Sequence, residues 1–139
     1  MFRVLDADSP ISKEDLLQFE EILGKKLPKT MLDFYLKHNG GQPQVRGVHD
    51  EHHLFPFNSF DSLEEMRKSM KWFDDEAVPA GFKAKDLLHF AYDPGSGNYA
   101  LSLREEDYGN VYFYVLEEKA EVYGQWPSFE DFLNSFVEE

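Results

Sequence analysis

The sequence contains no cysteine, which excludes disulfides, thiolate metal centres and cysteine nucleophiles and suits a reducing compartment. Bases are scarce, with 14 Lys and Arg against 27 Asp and Glu, for a formal net charge of −13. A protein that grips phosphates needs a basic footprint, so nucleic acid and anionic membrane surfaces are poor partners. Long apolar runs are also missing. The longest obvious one, Val111 to Leu116, falls far short of the ~20 residues that cross a bilayer. The opening MFRVLDADSP lacks the apolar stretch of a secretory signal. These absences lead us to expect a cytoplasmic protein with no membrane partner.

Apolar residues make up 42% of the 139 positions and aromatics 16%, enough for one domain, 1–139, with a true core rather than a disordered chain. The stretch from Leu87 to Leu116 organises the rest. Tyr99, Leu101 and Leu103 alternate with Ala100 and Ser102, and Val111, Phe113 and Val115 alternate with Tyr112 and Tyr114. This period of two is a strand signature. Pro94-Gly95-Ser96-Gly97 and Asp107-Tyr108-Gly109-Asn110 break the runs with turn-forming residues, and such short links favour antiparallel pairing. The spacing predicts a three-stranded meander over 87–116. A lone sheet cannot bury its own apolar face, so flanking helices must cover it.

Four helices are expected, near 13–23, 29–38, 63–73 and 129–137, giving an α+β fold with edge strands added to the meander. Ser12 caps the first, whose stripe is Leu16, Phe19, Ile22 and Leu23, and Gly24 is its left-handed stop. Pro28 opens the second. There Met31, Leu32, Phe34, Tyr35 and Leu36 cover most of the circumference, so deep burial is expected, and Asn39-Gly40-Gly41 ends it. Between Gln42 and His53 the pattern loosens, and Leu54-Phe55-Pro56-Phe57 reads as an edge strand or irregular extension. Ser62 with Glu65 forms a capping box for the third helix, with Leu63, Met66, Met70 and Phe73 as its stripe. Residues from Asp74 to Lys85 read as a loop, and Ala120 to Tyr123 as a further strand. Ser128 caps the last helix, where Phe129, Phe132, Leu133 and Phe136 point inward.

The run E-x-x-L-G-x-x-L-P followed by N-G-G, carried by Glu20, Leu23, Gly24, Leu27, Pro28, Asn39, Gly40 and Gly41, resembles the opening of the SUKH superfamily, the group of the Smi-one/Knr-four cell-wall regulators. The likeness continues in Phe90 to Asp93 with its glycine-rich turn and Asn98, in Tyr108-Gly109-Asn110-Val111-Tyr112, and in the closing Ser128, Phe129, Phe132 and Leu133. It thus spans nearly the whole chain in the family's order. It implies helices against a twisted antiparallel sheet and a role in binding proteins. Many bacterial members look like immunity proteins that neutralise polymorphic toxins, often nucleases, and eukaryotic relatives serve cell-wall regulation.

Motifs for chemistry do not survive inspection. His49, Asp50, Glu51, His52 and His53 carry metal-ligand side chains, and His49, His52 and His53 are the candidate ligands. No H-E-x-x-H spacing, however, aligns two imidazoles. Gly95-Ser96-Gly97 precedes a strand, whereas a phosphate cradle needs a helix start after its glycines. Asp93 and Asn98 lack the spacing and closing glutamate of a calcium loop, and no G-x-S-x-G elbow is present. Neither a catalytic activity nor a cofactor is expected.

Surface aromatics and acids are the better candidates. Trp72 falls off the third helix's stripe, and Tyr112 and Tyr114 share the meander face opposite Val111 and Phe113. With Asp74, Asp75, Glu105, Glu106 and Asp107 they form our expected contact set, chosen from charge and periodicity and not assigned by the resemblance. Trp126 and His38 read as structural. The expectation is a non-catalytic immunity protein, monomer or weak homodimer, whose acidic loops steer a basic toxin domain onto an aromatic sheet face. A small-ligand module or a regulatory scaffold is the alternative, and a metal-dependent hydrolase is least favoured.

Overall fold

The computed structural model describes residues 2–116 and 121–138. In chain order the first elements are β1 (Val4–Leu5), α1 (Lys13–Leu23), α2 (Lys29–Lys37), β2 (Gln42–Pro43), β3 (Val45–His49), β4 (Leu54–Phe55) and β5 (Ser59–Phe60). Then follow α3 (Leu63–Ser69), β6 (Leu87–Tyr92), β7 (Gly97–Ser102), β8 (Val111–Val115), β9 (Glu121–Trp126), α4 (Phe129–Asn134) and β10 (Phe136–Glu138). This is an α+β fold, and among the described residues all the strand pairings are antiparallel.

Caps fix the helix starts as the sequence predicts. Ser12 Oγ accepts from Asp15 N at 3.2 Å, and Asp15 Oδ2 in turn accepts from Ser12 N at 2.8 Å. Ser62 and Glu65 form the same reciprocal pair at 3.1 and 2.8 Å, satisfying N–H groups that a helix leaves without partners. Gly24 closes α1 at φ 72°. Burial is narrower than the apolar periodicity predicts. Leu16 and Phe19 are buried but Ile22 is 53% exposed, and α2 buries Met31, Phe34 and Tyr35 while leaving Leu36 outside. Each helix meets the core along a single line, so only one stripe is covered.

Two helices are shorter than their periodicity implies. The third ends at Ser69, whose Oγ donates to the Met66 carbonyl at 3.0 Å. Tighter turns then run through Lys71 and Trp72, so Trp72 lies beyond the helix rather than on its side. The fourth ends at Asn134 rather than near 137. Phe136 to Glu138 pair instead with β3, because an open strand edge offers backbone partners that a fraying last turn lacks.

Five strands in the order β5-β6-β7-β8-β9 make the main sheet, which contains the expected meander. Of the expected strand from Ala120 to Tyr123, residues 121–123 begin β9, and Ala120 lies outside the described residues. A second sheet, β10-β3-β4, takes up both the loosened stretch and the Leu54-Phe55 edge, and β1 pairs with β2. On the main sheet's core face Tyr99 stands opposite Phe113 and Leu101 opposite Val111. Phe90, Phe129, Phe132, Phe34 and Phe60 fill the space against the helices, in the tilted and edge-on contacts that aromatic rings favour.

The opposite face is covered as well. Phe73 stacks on His89, Phe82 meets Tyr112 edge-on, and Val78 joins Leu87, Ala100, Tyr112 and Tyr114 in a second cluster. The segment 73–86 is therefore a strap across the sheet, not merely a link into it. Tyr114 is fully buried and Tyr112 nearly so. This corrects the expectation that their face is offered to a partner: the chain's own strap occupies it.

Candidate partner interface

The surface around Trp72 is set by the start of α3. Asn39 Oδ1 accepts from Leu63 N at 2.8 Å while its Nδ2 donates to the Ser9 carbonyl at 2.8 Å. Gly40, at φ 79°, lets the turn press against the helix: a Cβ there would sit 2.6 Å from Ser62 N. The Asn-Gly-Gly motif thus fixes α3, and α3 delivers Trp72 to the rim of a cleft against the β6–β7 turn. The cleft holds about 440 Å³ and is lined by Asp61, Glu65, Lys68, Trp72, Tyr92 and Leu116, among others. Trp72 is 76% exposed, Leu116 39% and Tyr92 36%.

Asp61 is the unusual group in this cleft. Burial first, then the negative charge of Glu65, pushes its carboxyl up to about 7. Among the described residues it forms no ion pair. Its backbone carbonyl accepts the Tyr35 hydroxyl at 2.7 Å, which anchors the residue to α2. A neighbouring concavity of about 400 Å³ shares Glu65 and Tyr92 and adds Asp6 and Asp8.

The other expected contact residues divide. Glu105 and Glu106 are exposed on the β7–β8 connection. Asp74 and Asp75 are exposed too, but their carboxylates hold the strap: Asp74 Oδ1 accepts from Glu76 N and Ala77 N at 3.0 and 3.1 Å, and Asp75 Oδ1 from Ala84 N at 2.8 Å. Asp107 is drawn inward. It accepts from Ser102 Oγ, from Arg104 Nε and Nη2 and from the Tyr112 hydroxyl, at 2.5, 3.0, 2.6 and 2.6 Å. Burial works against its charge, but the bonds from Arg104, Ser102 and Tyr112 outweigh it and hold the carboxyl down at about 2. Arg104 also lies over the Phe82 ring, 3.9 Å from its centroid, and donates to the Gly81 carbonyl. Asp107 and Tyr112 therefore lock the strap to the sheet, which corrects their placement in a contact set. Tyr114 is corrected likewise, since its hydroxyl is bonded to His89 Nε2.

The histidines gather around a hairpin tip. Asp50 Oδ1 accepts the backbone N–H groups of His52 and His53, each at 2.9 Å, and Oδ2 accepts from Gln125 N at 3.3 Å. Burial opposes the Asp50 charge, yet these backbone bonds keep its carboxyl below the usual range. Among the described residues no three His, Asp or Glu side chains are placed to share a metal ion. The cluster lines a groove of about 690 Å³ beside β9.

The remaining motif residues hold turns. Glu20 Oε2 accepts from Leu27 N at 2.6 Å across the α1–α2 link, with Leu27 buried, Leu23 packed against the core and Pro28 at the N-cap of α2. Asp93 Oδ1 accepts from Gly95 N and Gly97 N at 2.8 Å each, and Asn98 Nδ2 donates to the Ser96 carbonyl at 3.2 Å. Gly109 N donates to the Ser102 carbonyl at 3.0 Å. Asp61, Glu65 and Tyr92 were not among the expected contacts. Nothing local marks Asp61, which looks in sequence like one more acid ahead of a helix cap.

These features define a small α+β domain whose motif glycines and carboxylates build turns. Among the described residues no helix is long and apolar enough to cross a membrane. The SMI1 / KNR4 family (SUKH-1) matches residues 10–135, and the chain belongs to that family. No curated protein matches it.

Proposed function

We propose that this chain is a non-catalytic, cytoplasmic protein-binding domain, acting as one unit over 1–139, and that it is an immunity protein that neutralises a bacterial toxin by direct binding. Family membership supports an immunity-protein or cell-wall-regulator type of domain. The observation that carries the finer reading is the charge, 27 acids against 14 bases. Such a surface speeds encounter with a basic partner, a nuclease toxin above all, and disfavours phosphate-bearing ones. Trp72, 76% exposed, supplies the large amphipathic ring that commonly anchors an interface.

The toxin is sought in the product of the gene immediately upstream. Co-expression of this chain should rescue cells from that toxin, and the purified pair should associate. Replacing Glu105 and Glu106 by Gln should slow association and flatten its salt dependence, leaving the dissociation rate nearly unchanged. Turnover of a substrate by the purified chain alone would overturn the reading. So would failure to protect against the neighbouring toxin, which would favour the regulator type.

A further inference from the structure

The cleft beside Trp72 carries chemistry that neither the core nor the sheet requires. Asp61 is half-buried on its wall and has no ion-pair partner among the described residues. A carboxylate withdrawn from water without a counter-charge is costly, and a cation arriving from outside would offset that cost. Glu65 lines the same cleft, and it also lines the neighbouring concavity together with Asp6 and Asp8, which add to the negative field. Lys68 lines the cleft but forms no ion pair with either acid. The exposed rings of Trp72 and Tyr92 share the same space, and aromatic faces attract cations. An anion would meet Asp61 and Glu65 head-on. A purely apolar group would bury their carboxylates further.

We propose that this cleft receives one cationic side chain, arginine or lysine, from a protein partner, held among the Trp72 and Tyr92 rings and the Asp61 and Glu65 carboxylates. The proposal rests on the protein-binding reading above and names the group that anchors the partner. Sharing the cleft with Asp61 are Glu65 and Lys68 from the α3 segment and His89 and Tyr92 from β6, while from α2 the Tyr35 hydroxyl is bonded to the Asp61 backbone carbonyl. Because the free carboxyl titrates near 7, binding should weaken up to about tenfold between pH 8 and pH 6 as Asp61 takes up its proton.

The test is a nuclear magnetic resonance titration with glycine-flanked pentapeptides bearing a central arginine, lysine, citrulline or norleucine. The arginine and lysine peptides should move the Trp72 indole N–H resonance and leave that of Trp126, which donates to the His49 carbonyl, in place. Asp61→Asn should weaken binding at least about fivefold and abolish its pH dependence, while the unmoved Trp126 resonance reports an intact fold. An equal response to citrulline, or unchanged arginine binding in Asp61→Asn, overturns the proposal. Once a protein partner is in hand, full affinity of Asp61→Asn for it overturns this anchor but leaves the protein-binding reading standing. Cation binding in a chain that protects against no toxin does the reverse.

Discussion

Phe73 lies flat on His89, with ring centroids 3.6 Å apart and planes 3° from parallel. The contact seats one end of the strap on the second face of the sheet, and His89 Nε2 shares a 2.5 Å hydrogen bond with the Tyr114 hydroxyl beneath it. Burial pushes the imidazole down to about 3, so it stays neutral across the physiological range.

His89 should therefore make the fold acid-sensitive. Its unfolded pKa lies near 6.5 and its folded value near 3, so its contribution is fully present above pH 6.5 and is lost as pH falls toward 3. The difference in urea-unfolding free energy between the wild type and His89→Gln should shrink by up to ~3 kcal/mol between pH 6.5 and pH 4. Parallel pH profiles for the two proteins would show that the ring's neutrality contributes nothing.

Asp61 works in the opposite sense. Its folded pKa of about 7 lies above the unfolded 3.8. The folded state therefore holds its proton more tightly, and stability is lost as pH rises through this window. Asp61→Asn should stabilise the protein at pH 8 by roughly 1–3 kcal/mol, allowing for the water that still reaches the carboxyl. At pH 4 it should change little. A melting temperature unchanged at pH 8 would mean that the carboxylate is already solvated.

Asp107 and its sequence neighbours Glu105 and Glu106 should part company on mutation. Asp107→Asn disrupts the pairing with Arg104 and disturbs the bonds from Ser102 and Tyr112, at a cost of roughly 2–4 kcal/mol. The depressed Asp107 pKa of about 2 against 3.8 means that its contribution is present above pH 3.8 and fades below it. Glu105→Gln and Glu106→Gln, in solvent, should stay within about 0.5 kcal/mol of wild type. Equal effects at all three positions in chemical denaturation would contradict this division.

Two glycines with similar φ should respond unequally to alanine. Gly24 has open space around its missing Cβ, so Gly24→Ala meets only the left-handed strain at φ 72°, about 1 kcal/mol. Gly40→Ala adds a collision with the Ser62 backbone at 2.6 Å and should cost more than ~2 kcal/mol. Thermal unfolding followed by circular dichroism should rank Gly40→Ala well below Gly24→Ala, and the reverse order would refute the close approach of the turn to α3.

Much of the scaffold was legible in the chain because its signals act over a few residues. Ser12, Ser62 and Ser128 mark helix starts, Gly24 marks a stop, and Asp93 with Gly95 and Gly97 makes a turn through bonds that span two and four positions. Period-two runs gave the meander for the same reason, since alternation is a property of the local backbone. Periodicity failed wherever exposure depended on distant chain. Ile22 keeps helical spacing and stays outside, while Phe136 keeps it and joins a strand because β3 offers an open edge.

The aromatic content, the acidic balance and the turn residues were determined by the sequence alone, and with them the α+β class and the family likeness. Which sheet face would be free was decided only when Phe73, Val78 and Phe82 folded back over His89, Tyr112 and Tyr114. The same closure turned Asp107 from a surface acid into a clasp, and the packing of α3 left Asp61 half-buried on a cleft wall. Alternation says that two faces exist, but what covers each is set by the summed burial of side chains far apart along the chain, which no local pattern encodes.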